Sequence, residues 1–206
     1  MKVLLINGSS HEFGCTYTAL KEIEKTLNKE LIDTEILWIG NKPIAGCIAC
    51  MTCKRIHKCI FNEDKVNKVI EDLPNIDGIV VGSPVYYAGP SGQLCAFLDR
   101  LFYAGSGFEG KLGAAIVSCR RGGAATAFDR LNKYFTINSM PVVSSQYWNM
   151  VHGYTPEDVK QDLEGLQTMR TLAKNMAWLL KCIEAGKEKG IEKPVLEEQI
   201  KTNFVR

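Results

Sequence analysis

The stretch from Asp77 to Phe102 limits the fold more than any other part of this 206-residue chain. Gly78 to Val81 is a short apolar run between Asp77 and Gly82-Ser83-Pro84. It does not alternate with polar residues, which is the pattern of a strand covered on both faces. From Gln93 to Tyr103, Leu94, Phe97, Leu98 and Leu101 recur at helical spacing. The loop between them, Ser83 to Gly89, combines stiff backbone at Pro84, open backbone at glycine and two adjacent tyrosines. At the carboxyl end of a central strand in an open α/β sheet, such a loop is where a ligand is expected.

The rest of the chain supplies four more strands. Lys2 to Ile6, Glu35 to Ile39, Leu112 to Val117 and Pro141 to Ser144 read as strands, and helices alternate with them. The helices are expected at about Thr16 to Asn28, Glu63 to Leu73 capped by Asn62, Ala124 to Phe135, and Pro156 to Ala185 stopped by Gly186. Five strands alternating with helices predict a doubly wound parallel sheet of order 2-1-3-4-5. That order gathers the loops after strands one, three and four around a single crevice. Residues 1–186 are expected to form one domain that includes a cysteine-rich loop over 40–62, with 187–206 a tail or an oligomerisation arm.

The loop after the first strand, Asn7 to Thr16, is rich in small hydroxyl residues and opens a helix. Free N–H groups at a helix N-terminus, close approach at Gly14, and the hydroxyls of Ser9, Ser10 and Thr16 make a phosphate site. The pattern is not GxGxxG, and hydroxyls in place of glycines suit a terminal monophosphate. An ordinary βα turn is the bland alternative. The exit of the fourth strand, Ser118-Cys119-Arg120-Arg121-Gly122-Gly123, suits an electron-rich or anionic ligand, against the alternative of a solvated loop with surface arginines. After the fifth strand, Gln146 to Gly153 forms an aromatic loop that could wall a substrate pocket or simply pack.

Gly40 to Asn62 has no convincing periodicity, and loops of that length in a compact domain usually carry function. It holds Cys47, Cys50, Cys53 and Cys59 at the spacing C-x2-C-x2-C-x5-C. Zinc ribbons pair two C-x2-C knuckles across a longer gap, whereas three cysteines at successive x2 steps wrap around an iron-sulfur cube. Gly46, Ala49 and Thr52 leave room for inorganic sulfide, and Lys54, Arg55 and Lys58 offset the charge of a thiolate-ligated cluster. A [4Fe-4S] cluster is the sharper reading; thiols without metal, and zinc, stand beside it.

A net charge of +2 and the lack of a dense basic block argue against nucleic acid or an anionic membrane as a partner. The apolar run at the N-terminus is too short for a signal peptide, and no stretch approaches a transmembrane helix. The chain is therefore expected in the cytoplasm, with its eight cysteines as thiols or ligands rather than disulfides.

With these residues placed, the sequence resembles the flavodoxin-like NADPH-dependent FMN reductases and, within them, the iron-sulfur flavoproteins, over roughly residues 2–185. The marks are Asn7-Gly8-Ser9-Ser10 with Gly14 and Thr16, then Gly82-Ser83-Pro84-Val85-Tyr86, then Phe97-Leu98-Asp99-Arg100. The resemblance implies FMN as cofactor. Ser9, Ser10 and Thr16 would bind its phosphate, Pro84, Val85, Tyr86 and Tyr87 would line the flavin, and Ser118 to Gly123 would complete the ring site. It also implies a redox enzyme moving electrons between NAD(P)H or a ferredoxin-like donor and a small-molecule acceptor, as a homodimer or homotetramer. No general base is assigned, since hydride transfer requires none. A cluster-free NAD(P)H-dependent FMN or quinone reductase, a flavodoxin-type carrier, and a cysteine-loop sensor are the competing classes.

Overall fold

The computed structural model describes residues 1–198, 200 and 202. Five strands, β1 (Lys2–Asn7), β2 (Asp33–Trp38), β3 (Gly78–Pro84), β4 (Leu112–Cys119) and β5 (Met150–His152), form one parallel sheet of order β2-β1-β3-β4-β5. The expected topology is therefore the observed one. Every residue of β4 is buried, because helices cover both faces of the sheet at its centre. One face is closed by α3 (Val66–Asp72), α4 (Gly92–Ala104) and α5 (Ala124–Thr136) through Val69, Leu94, Phe97, Leu101, Leu131 and Phe135. The other is closed by α1 (Cys15–Lys29) and α7 (Leu163–Glu188), with Leu20, Ile23 and Leu27 facing Leu172, Met176 and Leu180. Each such aliphatic side chain contributes about 1.5–3 kcal/mol by leaving water.

Four expectations are corrected. The fifth strand is Met150–His152, not Pro141 to Ser144. The earlier segment still lies against the sheet: Gly113 and Pro141–Val143 exchange two hydrogen bonds at the start of β4, while Met150–His152 pairs with its end. Between them the chain leaves the sheet edge, anchored on its return by buried Asn149, whose amide donates to the Ala115 carbonyl at 3.1 Å. The C-terminal helix is broken at Asp162 into α6 (Pro156–Gln161) and α7. Asp162 is non-helical and caps α7 by accepting from the Gly165 N–H at 2.9 Å, while Thr155 and Asp158 form a capping box at the start of α6.

Nor does Gly186 stop the helix. α7 runs to Glu188 and ends in a Schellman motif, with Gly190 at φ +76 and the Ile191 N–H bonded back to the Gly186 carbonyl. The third helix is shorter than expected, and its first N–H is taken by Asp64 rather than Asn62. Of the tail or arm expected over 187–206, residues 199, 201 and 203–206 lie outside the described residues. Within the cysteine loop a single helical turn, α2 (Cys53–Ile56), is present.

Candidate functional site

Three loops meet at the carboxyl edge of β1, β3 and β4, and they are tied together by side chains that the strands leave buried there. The Thr16 and Ser118 hydroxyls are paired at 2.9 Å. Ser91 donates to the Gly8 carbonyl at 2.7 Å and its N–H is held by Ser83. The Val85 N–H reaches the Ser118 carbonyl at 2.9 Å. Further out, the Ser10 hydroxyl and the Tyr86 phenol lie 3.2 Å apart. Loops joined this way need little reorganisation to receive a ligand.

Inside the first loop, buried Asn7 accepts from the Ser9 N–H and donates to the Glu12 carbonyl, and Ser9 Oγ accepts from the His11 N–H. The Trp38 indole, at the end of β2, donates to the Ser9 carbonyl at 2.7 Å. Thr16 is buried with its hydroxyl engaged by Ser118, whereas the Ser10 hydroxyl stands at the open edge. Gly14 precedes α1 without a side-chain cap. The first N–H groups of that helix are therefore unfilled donors carrying the positive end of its dipole.

The loop after β3 closes in a two-residue turn. Tyr86 and Gly89 exchange two hydrogen bonds at 2.9 Å, and the residues between them, Tyr87 (φ +49) and Ala88 (φ +59), are both left-handed. That geometry normally selects Asn-Gly, and for other residues it stores about 1–2 kcal/mol apiece. The turn leaves Tyr87 fully exposed and Tyr86 half-exposed at the crevice. The third loop reaches the same place: Gly123, at φ +85, lies so close to Ala88 that a Cβ there would be 2.8 Å from the Ala88 Cα. Gly123 also starts α5 without a side-chain cap. Arg120 and Arg121 are exposed beside it, while the Cys119 side chain turns into the core, where burial pushes its thiol up. Burial likewise raises the Cys15 thiol.

A second hollow opens beside that loop. Arg121, Tyr147, Trp148, His152 and Asp162 border a cleft of about 450 Å³.

The four sequence-predicted cysteine ligands are brought together elsewhere. Cys47, Cys50, Cys53 and Cys59 all line one recess at the C-terminal end of α4, with Met51, Phe61 and Tyr103 among its walls. The recess measures about 350 Å³ including its mouth, and the space free between its walls is room for about one water. Among the described residues, no three His, Cys, Asp or Glu side chains converge as ligands of a single ion. Met51 has positive φ and Thr52 follows it in right-handed helical backbone, the kind of left- and right-handed pair that makes an anion-binding concavity of successive N–H groups. Lys54 lies over the Tyr103 ring at 4.9 Å, on the rim. Four thiols on one recess with a basic residue at its rim are the donor set of a thiolate-ligated cluster rather than of a lone ion, while the space now free between them is smaller than such a cluster.

The sheet order and the three joined loops at its carboxyl edge define a flavodoxin-like protein. A profile of the family "NADPH-dependent FMN reductase" matches residues 1–155. The chain belongs to that FMN-binding family of oxidoreductases, on its iron-sulfur flavoprotein branch. It is 35% identical over 193 residues to an iron-sulfur flavoprotein of Methanocaldococcus jannaschii, covering 89% of this chain and all of that one. To an iron-sulfur flavoprotein of Methanosarcina thermophila it is 26% identical over 194 residues, covering 92% of this chain and all of that one. Among solved structures, a flavodoxin from the domain Archaea superposes with a TM-score of 0.59 at 18% identity, over 88% of this chain and 99% of that one. That likeness is one of fold. The open N–H groups of α1, the Ser10 hydroxyl and the exposed tyrosines fit a phosphate and a flat ring system at one edge.

Sequence reasoning counted Asn7 among the marks of the first loop without giving it a role, and it missed Trp38; both shape that loop from outside its hydroxyl pattern. It also missed the role of Arg100, buried against the cysteine loop.

Proposed function

We propose that the protein is an FMN-dependent oxidoreductase in which Cys47, Cys50, Cys53 and Cys59 hold a [4Fe-4S] cluster. Electrons pass between NAD(P)H or a ferredoxin-like donor and a small-molecule acceptor. The observation that carries this reading is the convergence of all four thiols on one recess at the end of α4, the helix that begins directly after the flavin-side loop. Bound FMN supplies the hydride and single-electron chemistry. The residues of this chain do the rest. The N–H groups at the start of α1, with Ser9, Ser10, Gly14 and Thr16, receive the phosphate. Pro84, Val85, Tyr86 and Tyr87 cover the ring, and Ser118 to Gly123 offer N–H groups and two guanidinium charges that stabilise negative charge on it.

The cleft beside Arg121, walled by Tyr147 and Trp148, receives the small-molecule partner. The eight unpaired thiols support a reducing cytoplasmic location. No helix among the described residues is long and apolar enough to cross a membrane. Exposed Trp178 and Leu163 on α7, with Val195 and Leu196 beyond it, support a homodimer or homotetramer in which residues 187–206 act as an arm. A monomer at micromolar concentration by light scattering would remove that assembly.

The test is anaerobic purification followed by a visible spectrum and assays of iron, acid-labile sulfide and FMN. The expected result is flavin bands on a broad shoulder, with about four irons and four sulfides per chain, the content of a cubane cluster. Flavin without iron sinks the cluster and leaves direct NAD(P)H-dependent reduction of a quinone or free flavin, a reading favoured by the small free space between the thiols. No turnover with any donor and small acceptor would leave a flavodoxin-type carrier.

A further inference from the structure

The largest fully buried side chain in the described structure is a charged one. Arg100, on the last turns of α4, is 1% exposed and directs its guanidinium away from the sheet and into the cysteine loop. Nη1 donates to the Asp64 carboxylate and to the Ala45 carbonyl at 3.3 Å, and Nη2 donates to the Phe61 carbonyl at 3.1 Å. The plane lies over the Phe61 ring at 5.1 Å. These partners lie on both sides of the motif, Ala45 before Cys47 and Phe61 and Asp64 after Cys59, so one side chain closes the base of the loop. Asp64 balances the buried charge, without which it would be costly.

The remaining donor has a separate destination. Nε donates to Cys59 Sγ at 3.1 Å. Among the described residues, Cys59 is the one member of the motif whose sulfur accepts from a side-chain N–H. Its backbone is fixed as well: Asn67, nearly buried on α3, accepts from the Cys59 N–H at 2.8 Å and donates to its carbonyl at 2.8 Å. Cys47 and Cys50 are exposed by contrast. A thiol has little need of so directed a donor, whereas hydrogen bonds to ligand sulfur hold metal ligands in place and shift the potential of the centre they bind.

We infer that Arg100 is the positioning residue of the cysteine site. With Asn67 it holds Cys59 as the fixed ligand before the others close, and its Nε–H···Sγ bond raises the potential of the centre. This inference rests on the cluster reading above. A lysine would keep the charge beside Asp64 and lose the planar fork that reaches sulfur and carbonyls together.

The test has two parts, the first independent of any metal. In metal-free, FMN-loaded protein, hydrogen exchange read by mass spectrometry should find residues 59–64 exchanging about tenfold more slowly than 47–52, the protection that one or two charge-assisted hydrogen bonds provide. Arg100→Lys should abolish that contrast and leave FMN affinity unchanged. In protein reconstituted anaerobically with iron and sulfide, Arg100→Lys should lower the midpoint potential of the metal centre, a readout that a purely structural clamp would not move. Equal exchange of the two segments in the wild type, or an unchanged midpoint in the variant, overturns the inference. Should Arg100→Lys not fold, the wild-type exchange pattern and Asn67→Ala, expected to free the Cys59 amide, decide it. Failure of the wild type to take up iron overturns the ligand role together with the cluster reading, whereas iron uptake with an unaltered midpoint overturns the role of Arg100 alone.

Discussion

Alanine at Gly123 should damage the flavin site while alanine at its neighbour Gly122 should not. Gly123 has φ +85 and a Cβ there would sit 2.8 Å from the Ala88 Cα and 3.1 Å from Val85 Cγ1; at Gly122 an added Cβ meets nothing within 4 Å. The left-handed conformation costs an L-residue about 1–2 kcal/mol relative to glycine. Forcing the loop off the backbone at Ala88 adds about 1–3 kcal/mol, the usual range for overpacking. Where the loops separate in the apoprotein and must return for the flavin, the cost falls on binding, and about 2 kcal/mol of it weakens FMN affinity roughly thirtyfold. Where they stay together, it falls on stability instead. Quenching of FMN fluorescence gives the dissociation constant, and urea unfolding of the apoprotein gives the remainder. Gly123→Ala that matches Gly122→Ala in both measurements refutes the close approach of the two loops.

Trp38→Phe removes the indole donor on the Ser9 carbonyl and should weaken FMN binding by about 1 kcal/mol, roughly fivefold, with little loss of stability; an unchanged dissociation constant would show that the first loop holds its shape without it. Replacing both Arg120 and Arg121 with alanine should lower the flavin midpoint potential, and an unchanged potential removes them from the mechanism. Lys2 Nζ, 2.7 Å from Glu35, holds that carboxyl below its ordinary value near 4.5. A lowered folded-state value means that the unfolded chain takes up the proton first as the medium is acidified. The contribution of this pair is therefore complete above about pH 4.5 and is lost as pH falls below it through the folded value. Glu35→Gln should flatten that part of the stability profile in urea titrations between pH 3 and 6, and an identical acid limb in the variant would contradict the assignment.

What the sequence made legible follows from which interactions are local. β1, β3 and β4 are apolar without alternation because both their faces are covered, and that pattern needs no knowledge of partners. The five-strand order follows from alternation of strands and helices. β5 did not announce itself, because Met150-Val151-His152 is short and mixed, whereas Pro141-Val142-Val143 has β-branched residues yet only touches the sheet at one bridge. The break at Asp162 was hidden by an apolar stripe that continues across it, although an aspartate three residues before Gly165 is a capping signal. In the site, the residue types were readable and their mutual bonds were not. Thr16 and Ser118 are 102 residues apart, and no periodicity connects their hydroxyls. Arg100 stood in plain view within Phe97-Leu98-Asp99-Arg100, but arginines are so seldom buried that composition gives no reason to place one beside Cys59.

The divided edge of the sheet bears on how such a protein can be altered. Residues 141–143 and 150–152 each hold their own part of β4, and Asn149 fastens the return, so the chain between carries Tyr147 and Trp148 outward from two fixed points. Segments of other lengths and chemistries can be grafted between those points without shifting the register of a single strand. Under the proposed function that loop is the wall facing the small-molecule partner, which makes it the place to redesign acceptor preference while the loops after β1, β3 and β4 and the cysteine recess stay as they are.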